Sequence, residues 1–149
     1  MADVKICVGD VKNGKTYQKV LNDNESGYFK GLKIGDNVKG DGVGMPGYEL
    51  EIRGGSDSSG FPMRKGIASA GTKKIYSNKG VGIKKSRMGD YIRKTVAGEI
   101  IDSRITQVNL KVLKYGGKSV AQCFGIEEKK EEPKEVKEEK VEKNAISPK

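Results

Sequence analysis

One glycine-rich stretch, GGSDSSGFPMRKG at positions 54–66, holds the residues of this chain best suited to chemistry. A phosphate-binding loop has the pattern Gly-x-x-x-x-Gly-Lys-Ser/Thr, because the lysine and the hydroxyl reach the phosphates and the magnesium ion. Gly55 and Gly60 have the required spacing, but Phe61 and Pro62 stand where the lysine and the hydroxyl are needed. The stretch therefore does not predict a phosphate-binding loop.

The adjacent Asp57 and Ser58 could form an activated hydroxyl nucleophile only if a general base lay nearby. The chain contains no histidine, which excludes Ser-His-Asp and Cys-His catalysis and histidine-ligated metals. A structural role explains more of the stretch. The Asp57 carboxylate can bond backbone N–H groups in a turn, the glycines can adopt positive φ angles, and the apolar run 61–63 can return to the core as a plug. The residues of this structural motif are Gly54, Gly55, Asp57, Gly60, Pro62 and Met63.

The positive charge of the chain is concentrated in one segment. The formal net charge is +9, and residues 60–95 carry ten lysine and arginine residues but a single acidic residue, Asp90. Such a concentration repels itself, and a polyanion relieves the repulsion as it releases its counterions. Glycines between the cations let the backbone approach phosphates closely, which favours nucleic acid as the partner. The predicted RNA contacts are Arg64, Lys65, Lys73, Lys74, Lys79, Lys84, Lys85, Arg87, Arg93 and Lys94.

Two other interpretations of this basic segment are open. It could be the solvated basic face of an ordinary domain, or it could bind a membrane surface. A membrane-binding segment should show an amphipathic helical stripe, which these residues lack. If about 5 to 8 of the cations neutralise phosphates, the affinity for nucleic acid should fall with salt along a log–log slope of roughly −4 to −7.

The composition indicates one small globular domain. With 149 residues, of which 34% are hydrophobic and 33% charged, the chain can bury a core but is short for two domains. Its start, MADVKIC, lacks the apolar run of a signal peptide, so we expect a cytoplasmic protein. Cys7 and Cys123 have neither metal-binding nor disulfide spacing, and we expect both to be reduced. No metal and no cofactor are predicted.

Alternating hydrophobicity predicts strands along most of the chain. The first two, near residues 3–11 and 15–21, flank Asn13-Gly14, a pair typical of a two-residue type I′ hairpin turn. Asn22 and Glu25 have capping-box spacing and predict a short helix of about two turns. A half-buried strand, YELEIR at 48–53, then leads into the structural motif.

Short strands are also predicted downstream, at KKIYS, VGIK and YIRKTVAG. The sequence VAGEIIDSRITQVNLKVLKY at 96–115 predicts a hairpin with its turn at Asp102-Ser103. Many short strands with one brief helix predict an all-β fold, a small β-barrel of short antiparallel strands, over residues 1–126. The Glu/Lys-rich residues 127–149 lack an apolar stripe and predict a disordered tail.

The stretch IRGGSDSSGFPM at 52–63 resembles the signature of the S6e family of archaeal and eukaryotic small-subunit ribosomal proteins. That signature is an aliphatic residue, a small or basic residue, Gly-Gly, any residue, Asp, two free positions, Gly, any residue and Pro-Met. Every fixed position is matched here. A second block, SRMGDYIRKTVAGEIID at 86–102, is similar to the family's arginine-rich segment, although Tyr91 and Ile92 replace basic residues of the eukaryotic members. The Glu/Lys tail stands where those members have a long basic helix, which resembles the shorter archaeal form.

The resemblance implies a structural, non-enzymatic component of the small ribosomal subunit with a β-barrel fold. It implies rRNA and neighbouring ribosomal proteins as partners and a location in cytoplasmic ribosomes. No membrane or small-molecule partner is expected, and we expect a monomer outside the ribosome. One alternative is a freestanding RNA-binding β-barrel module of a translation or RNA-processing factor. Another is a small enzyme that uses Asp57 or a lysine.

Overall fold

Strands make up most of the regular structure in residues 4–84, 87 and 89–125, which the computed structural model describes. In chain order the elements are β1 (Val4–Gly9), β2 (Thr16–Leu21), α1 (Asp23–Ser26), β3 (Asn37–Lys39), β4 (Glu49–Asp57), β5 (Thr72–Ser77), β6 (Ile92–Ala97), β7 (Ile105–Lys114) and α2 (Val120–Cys123). Gly27–Phe29 and Gly40–Val43 form 3₁₀ turns. None of the helices in these residues has the length and apolar character to cross a membrane. The prediction of a mostly β fold is confirmed.

The strands form two sheets. Five of them pair in the order β2, β1, β7, β4, β3, and β5 pairs with β6 in a second, two-stranded sheet. In the part of the chain described, β2 and β3 are the outer strands of the larger sheet, so the predicted closure into a barrel is not confirmed. The pairing of β1 with β7 is parallel, whereas the other pairings are antiparallel. Purely antiparallel strands were predicted, because a parallel partner far along the chain leaves no local signal in the sequence.

The core lies on one face of the larger sheet. Strand residues at alternate positions are buried there, as the period-two pattern predicted; they include Val4, Ile6, Val8, Leu50, Ile52, Val108, Leu110 and Val112. Phe29, Met45 and Val120 cover this face and belong to the same cluster of buried side chains. The opposite face carries polar pairs such as Lys114 and Glu49, whose Nζ and Oε1 atoms are 2.8 Å apart.

The first hairpin forms as predicted, but its turn differs. A type I′ turn needs positive φ at both central residues, and of Asn13 and Gly14 only Gly14 has one, at 63°. Residues 11–14 instead form a longer loop around the buried Asp10. The Asp10 carboxylate accepts hydrogen bonds from the Lys12 N–H at 3.0 Å and from the Asn13 side-chain amide at 2.8 Å. This polar centre stabilises a wider loop than the Asn-Gly pair predicted.

The two helices differ in how they begin. The predicted short helix is found as α1, which continues into the 3₁₀ turn Gly27–Phe29. Its N-cap residue Asn22 makes no side-chain capping bond, so the predicted capping box is wrong. Helix α2 was not anticipated, yet it has a complete capping box. Gln122 N–H donates to Ser119 Oγ at 3.3 Å, and Ser119 N–H donates to Gln122 Oε1 at 3.2 Å.

Two predictions for the second half of the chain are wrong. The stretch VGIK at 81–84 is a turn and an irregular segment rather than a strand. The residues 96–115 do not form a hairpin either, because β6 pairs with β5 while β7 pairs with β1 and β4. After Ala97 the chain leaves β6, and Ile100 forms an isolated bridge with Lys33, outside both sheets. The turn at Asp102 exists, with the Ile105 N–H bonded to the Asp102 carbonyl at 3.0 Å, but it joins strands of different sheets.

Candidate nucleic-acid interface

The structural motif connects the two sheets. β4 extends through Asp57, so the motif begins as a strand rather than as the predicted turn, and the chain reverses at residues 58–60. The returning residues 61–64, which we call the connector strand, contact both sheets. On one side the Met63 N–H donates to the Gly55 carbonyl of β4, and on the other the Ala97 N–H of β6 donates to the Pro62 carbonyl, both at 2.9 Å. The connector strand therefore holds the C-terminal end of β6 against β4.

The paired glycines of the motif meet two different steric demands. Gly54 lies where the register of β4 against β7 shifts, and its φ is 153°. A Cβ on Gly55 would overlap the carbonyl oxygen of Gln107 in β7 and would lie 3.1 Å from the sulfur of Met63. A side chain at position 55 would thus push β4 away from its neighbour. The Gly-Gly pair has a structural explanation that requires no ligand.

Asp57 organises the reversal that follows. Its side chain is buried, and Oδ1 accepts hydrogen bonds from the Ser58 N–H at 2.5 Å and from the Ser58 hydroxyl at 3.0 Å. Gly60 closes the turn with a φ of 80° and an N–H bonded to the Asp57 carbonyl at 2.8 Å. The apolar plug expected after it is smaller than predicted, because Met63 is buried but Phe61 is 36% exposed. Asp57 therefore bonds to the turn itself, through the next residue rather than through the residue two positions on that an Asx-turn uses.

Most of the predicted RNA contacts lie on one β-hairpin, either on its two strands or in the connection between them. We call residues 72–97, which comprise β5, β6 and their connection, the basic hairpin. Eight of the ten predicted contact residues are exposed, one in the segment that precedes the hairpin and seven within it; they are Lys65, Lys73, Lys74, Lys79, Lys84, Arg87, Arg93 and Lys94. Lys85 lies outside the described residues. The basic hairpin thus presents a dense set of cations to solvent.

The cations occupy both faces of the basic hairpin. Because neighbouring residues of a strand alternate in direction, Lys74 and Tyr76 share one face, and Arg93 joins them because it lies directly opposite Tyr76. Lys73 belongs to the other face, together with Val96, which lies opposite it. That second face is partly covered by the connection between the strands, since a Cβ on Gly82 would lie 3.3 Å from a methyl group of Val96. The face with Lys74 and Arg93 is the more open of the two.

Arg64 differs from the other predicted contacts because its guanidinium bonds to the protein. Nη2 donates to the Ser77 hydroxyl at 3.3 Å and to the Lys79 carbonyl at 3.2 Å. Nη1 is buried and has no hydrogen-bond partner in the described part of the chain. Gly80 makes room for this arrangement, since a Cβ there would lie 3.0 Å from Nη2. The side chain therefore fastens the hairpin connection to the connector strand, and a role for it at phosphates stays a prediction.

Lys65 lies in a mixed-charge groove beside the connector strand. The groove has a volume of about 310 Å³, and Arg53 and Glu51 line it together with Lys65. The Nη1 atom of Arg53 is 3.0 Å from Glu51 Oε1. Since Glu51 neutralises part of the charge of Arg53, Lys65 supplies the net positive charge at this edge of the basic surface.

One cation at the hairpin base was missed by the sequence analysis. Arg104 is exposed, and its Nη1 atom lies 3.6 Å from the position that a Cβ would take on Gly71, immediately before β5. Arg104 lies beyond residue 95, where the basic segment defined from the sequence ends. Only the packing of the 98–104 segment against residue 71 brings it to the hairpin, and no motif in the sequence indicates this contact.

The domain that carries this surface matches one protein family along its whole described length. The family model for "Ribosomal protein S6e" covers residues 4–125. This chain belongs to the ribosomal protein S6e family. Its relatives include the small ribosomal subunit protein eS6 of Methanocaldococcus jannaschii, 42% identical over 127 residues that span 85% of this chain and 95% of that protein. The eS6 of Haloarcula marismortui is 38% identical over 125 residues, 84% of this chain and 97% of the relative.

A third S6e relative matches almost the entire sequence. The eS6 protein of Methanoregula boonei is 36% identical over 143 residues, 96% of this chain and 100% of its own length. The resemblance inferred from the glycine-rich signature is thereby confirmed, and its archaeal character agrees with these relatives. S6e proteins are structural ribosomal proteins, which confirms the prediction that the chain is not an enzyme. The S6e match runs from β1 through α2 and so includes the connector strand and the basic hairpin.

Proposed function

We propose that this S6e protein is a structural constituent of the small ribosomal subunit and binds rRNA through the basic hairpin. The observation that carries the proposal is the exposure of seven predicted contact cations on the basic hairpin. The end of β6 in this hairpin is bridged to the connector strand, between Ala97 and Met63. The names of the relatives describe small-subunit proteins, which supports the small ribosomal subunit as the assembly in which the basic hairpin would act. Its partners are rRNA and neighbouring ribosomal proteins in cytoplasmic ribosomes.

The exposed lysines and arginines would contact phosphates and give affinity with little base selectivity. Selectivity would come from the shape of folded rRNA, since the deep, narrow major groove of an A-form helix does not admit side chains that read bases. The connector strand contributes rigidity, because backbone hydrogen bonds on both of its sides hold the hairpin base. A ribbon held in place loses less conformational entropy on binding than a free loop would.

The remainder of the chain has a supporting role in this proposal. The domain at 1–126 anchors the hairpin, and the charged tail at 127–149, predicted from the sequence to be disordered, lies outside the described residues. The tail holds seven basic and eight acidic residues, so it adds no net attraction to phosphates. The proposal requires two sheets joined by the connector strand and does not depend on barrel closure. We propose that the protein is a monomer outside the ribosome.

A charge-matched pair of variants tests the proposal in cells. In the first variant Lys73, Lys74, Arg93 and Lys94 of the hairpin are changed to Gln. In the control, four exposed lysines elsewhere are changed to Gln, namely Lys5, Lys15, Lys30 and Lys118. The tagged wild type and the control should sediment with small subunits or their precursors in a sucrose gradient, whereas the hairpin variant should shift to the free fraction.

Two results would contradict this function. If the tagged wild type is recovered mainly free of ribosomal particles, the freestanding RNA-binding module becomes the better explanation. If both variants leave the particles equally, net charge rather than the hairpin is responsible. Thermal melting of each variant separates either result from simple unfolding.

A further inference from the structure

Two tyrosines form an exposed parallel stack on the open face of the basic hairpin. The ring centroids of Tyr76 and Tyr91 are 5.2 Å apart, and the angle between the ring planes is 21°. The two residues are 71% and 55% exposed, so the rings contact each other and solvent rather than the core. Exposed apolar area gathered in one place is typical of a binding surface, and aromatic rings offer large flat faces to a ligand.

The strand register holds this pair in position. Tyr76 lies opposite Arg93 in the β5–β6 ladder, and Tyr91 immediately precedes β6 on the diagonal from Tyr76. Diagonal neighbours on one face of a ladder are within reach of aromatic side chains, and each ring restricts the rotamers of the other. A flat ligand would therefore meet a surface whose side-chain entropy is already reduced, which lowers the cost of binding.

The charges around the stack indicate the kind of ligand. Lys74 and Arg93 are exposed and share the face of Tyr76. Cations beside an aromatic platform fit a polyanion that carries flat aromatic groups, with phosphates at the cations and a base on the ring. The bases of an A-form duplex are stacked on one another, so they do not offer their faces to protein rings. An unpaired base in a loop, a bulge or a free end does.

We propose that the Tyr76–Tyr91 stack binds an unpaired base of single-stranded RNA, with Lys74 and Arg93 at the neighbouring phosphates. This inference rests on the proposed function, because it specifies which part of an RNA the open face of the basic hairpin contacts. Every base has a π-face, so the stack confers preference for unpaired over paired RNA and little preference among bases.

The test measures how the full-length chain binds a short oligoadenylate RNA and a fully paired RNA duplex of the same length. Tyr76→Ala and Tyr91→Ala each weaken oligoadenylate binding by about 5- to 150-fold, the range for loss of one base–aromatic stack, and leave duplex binding unchanged. Tyr76→Phe and Tyr91→Phe retain the ring and bind like the wild type. The salt slope is the same in all of these variants, because none of them removes a cation.

Tyrosine fluorescence gives a second readout. The chain has six tyrosines and no tryptophan, so quenching of its emission by oligoadenylate reports on the stack without an added label. The two alanine variants lose this part of the quenching. Each phenylalanine variant keeps the ring but removes the emission of one tyrosine, so the variant that loses more of the quenching identifies the ring that meets the base. Quenching of equal size in the wild type and in both alanine variants would overturn the proposal.

The binding data separate this inference from the function on which it rests. Equal weakening for both RNAs, or unchanged oligoadenylate affinity in the alanine variants, overturns the stacking proposal and leaves RNA binding by the hairpin intact. Absence of wild-type binding to either RNA defeats the proposed rRNA binding as well. Alanine variants that bind RNA normally but no longer sediment with small subunits would indicate that the tyrosine rings contact a protein instead of RNA, which also overturns the proposal.

Discussion

The hydroxyl of Tyr115 donates a hydrogen bond to Asp10 Oδ1 at 2.7 Å and so joins the residue after β7 to the residue after β1. The same hydroxyl accepts the Lys12 N–H at 3.1 Å, and the Lys12 ammonium lies 4.1 Å from the centre of the Tyr115 ring. The ring of Tyr48 packs edge-on against Tyr115, with centroids 6.1 Å apart. This cluster holds the parallel pair β1–β7 together at one end.

Alkaline pH should destabilise the protein through these tyrosines. Burial raises the pKa of Tyr115, and its hydrogen bond to the Asp10 carboxylate raises the pKa further; burial also raises the pKa of Tyr48. The folded state therefore holds these protons more tightly than the unfolded chain, whose tyrosines titrate near pH ~10. This contribution to stability is complete below that pH and is lost as pH rises through the folded-state pKa values.

Melting temperatures measured from neutral to alkaline pH test this expectation. Tyr115→Phe should be less stable than the wild type at neutral pH, because Asp10 loses a donor, and should decline less steeply above pH ~10. Tyr28→Phe, at an exposed tyrosine in another part of the fold, should follow the wild-type decline. Parallel curves for Tyr115→Phe and the wild type would show that Tyr115 does not control the alkaline transition.

Gly55→Ala should destabilise the domain. The added methyl group overlaps the backbone of β7 at Gln107, and a strand paired on both sides cannot move aside freely. Overpacking of this kind costs about 1 to 3 kcal/mol of unfolding free energy. Gly117→Ala is the matched control, since a Cβ there meets nothing within 4 Å. Chemical denaturation of both variants measures the difference, and equal stabilities would mean that β4 and β7 are less closely packed than described.

Asp57→Ala should weaken the turn after β4, because it removes the carboxylate that accepts hydrogen bonds from the Ser58 N–H and hydroxyl, although the Ser58 N–H keeps its bond to the Arg104 carbonyl. We expect a loss of about 1 to 2 kcal/mol in unfolding free energy. Ser59→Ala, at an exposed position of the same turn, should change stability little. Unchanged melting of Asp57→Ala would argue against a structural role for this carboxylate and would reopen the question of what it binds.

Arg64 and Lys65 should respond in opposite ways to substitution, although they are adjacent. Arg64→Lys keeps the charge but loses the planar fork that reaches Ser77 and Lys79, so amide hydrogen exchange in the hairpin should accelerate while the salt slope of RNA binding stays nearly constant. Lys65→Gln should leave exchange unchanged and, if Lys65 contacts a phosphate, lower the slope by about 0.7 to 0.9. Unchanged exchange in Arg64→Lys would show that the contacts of Arg64 with Ser77 and Lys79 do not hold the hairpin connection in place.

Local features of the fold could be predicted from the sequence because their causes are local. Alternation of Leu50 and Ile52 with polar residues predicted β4, and similar patterns predicted the first hairpin and β5. The partners of the strands could not be predicted in the same way. Nothing near residue 97 indicates that β6 turns back to β5 and the connector strand, or that β7 inserts between β1 and β4.

The features of the candidate interface also divide into those that the sequence predicts and those that it does not. Exposure of the lysines on the basic hairpin follows from their charge and their density in the sequence, so the basic segment located the surface. The internal contacts of Arg64 depend on how the connector strand packs against the hairpin connection, and the pairing of Tyr76 with Tyr91 depends on the register of β5 against β6. Composition reveals neither. The capping box of α2 is a different case, since Ser119 and Gln122 have the required spacing and the signal was overlooked.

The parallel pairing of β1 with β7 sets an order for folding during synthesis. β1 leaves the ribosome first, yet the larger sheet lacks its central strand until residues 105–114 have emerged. Contacts between distant segments form slowly, whereas the β5–β6 ribbon joins neighbouring segments and can form earlier. The nascent chain can therefore display its cationic ribbon while the sheet that will support it is still incomplete, so the hairpin reaches its final rigidity only when the last strand is in place.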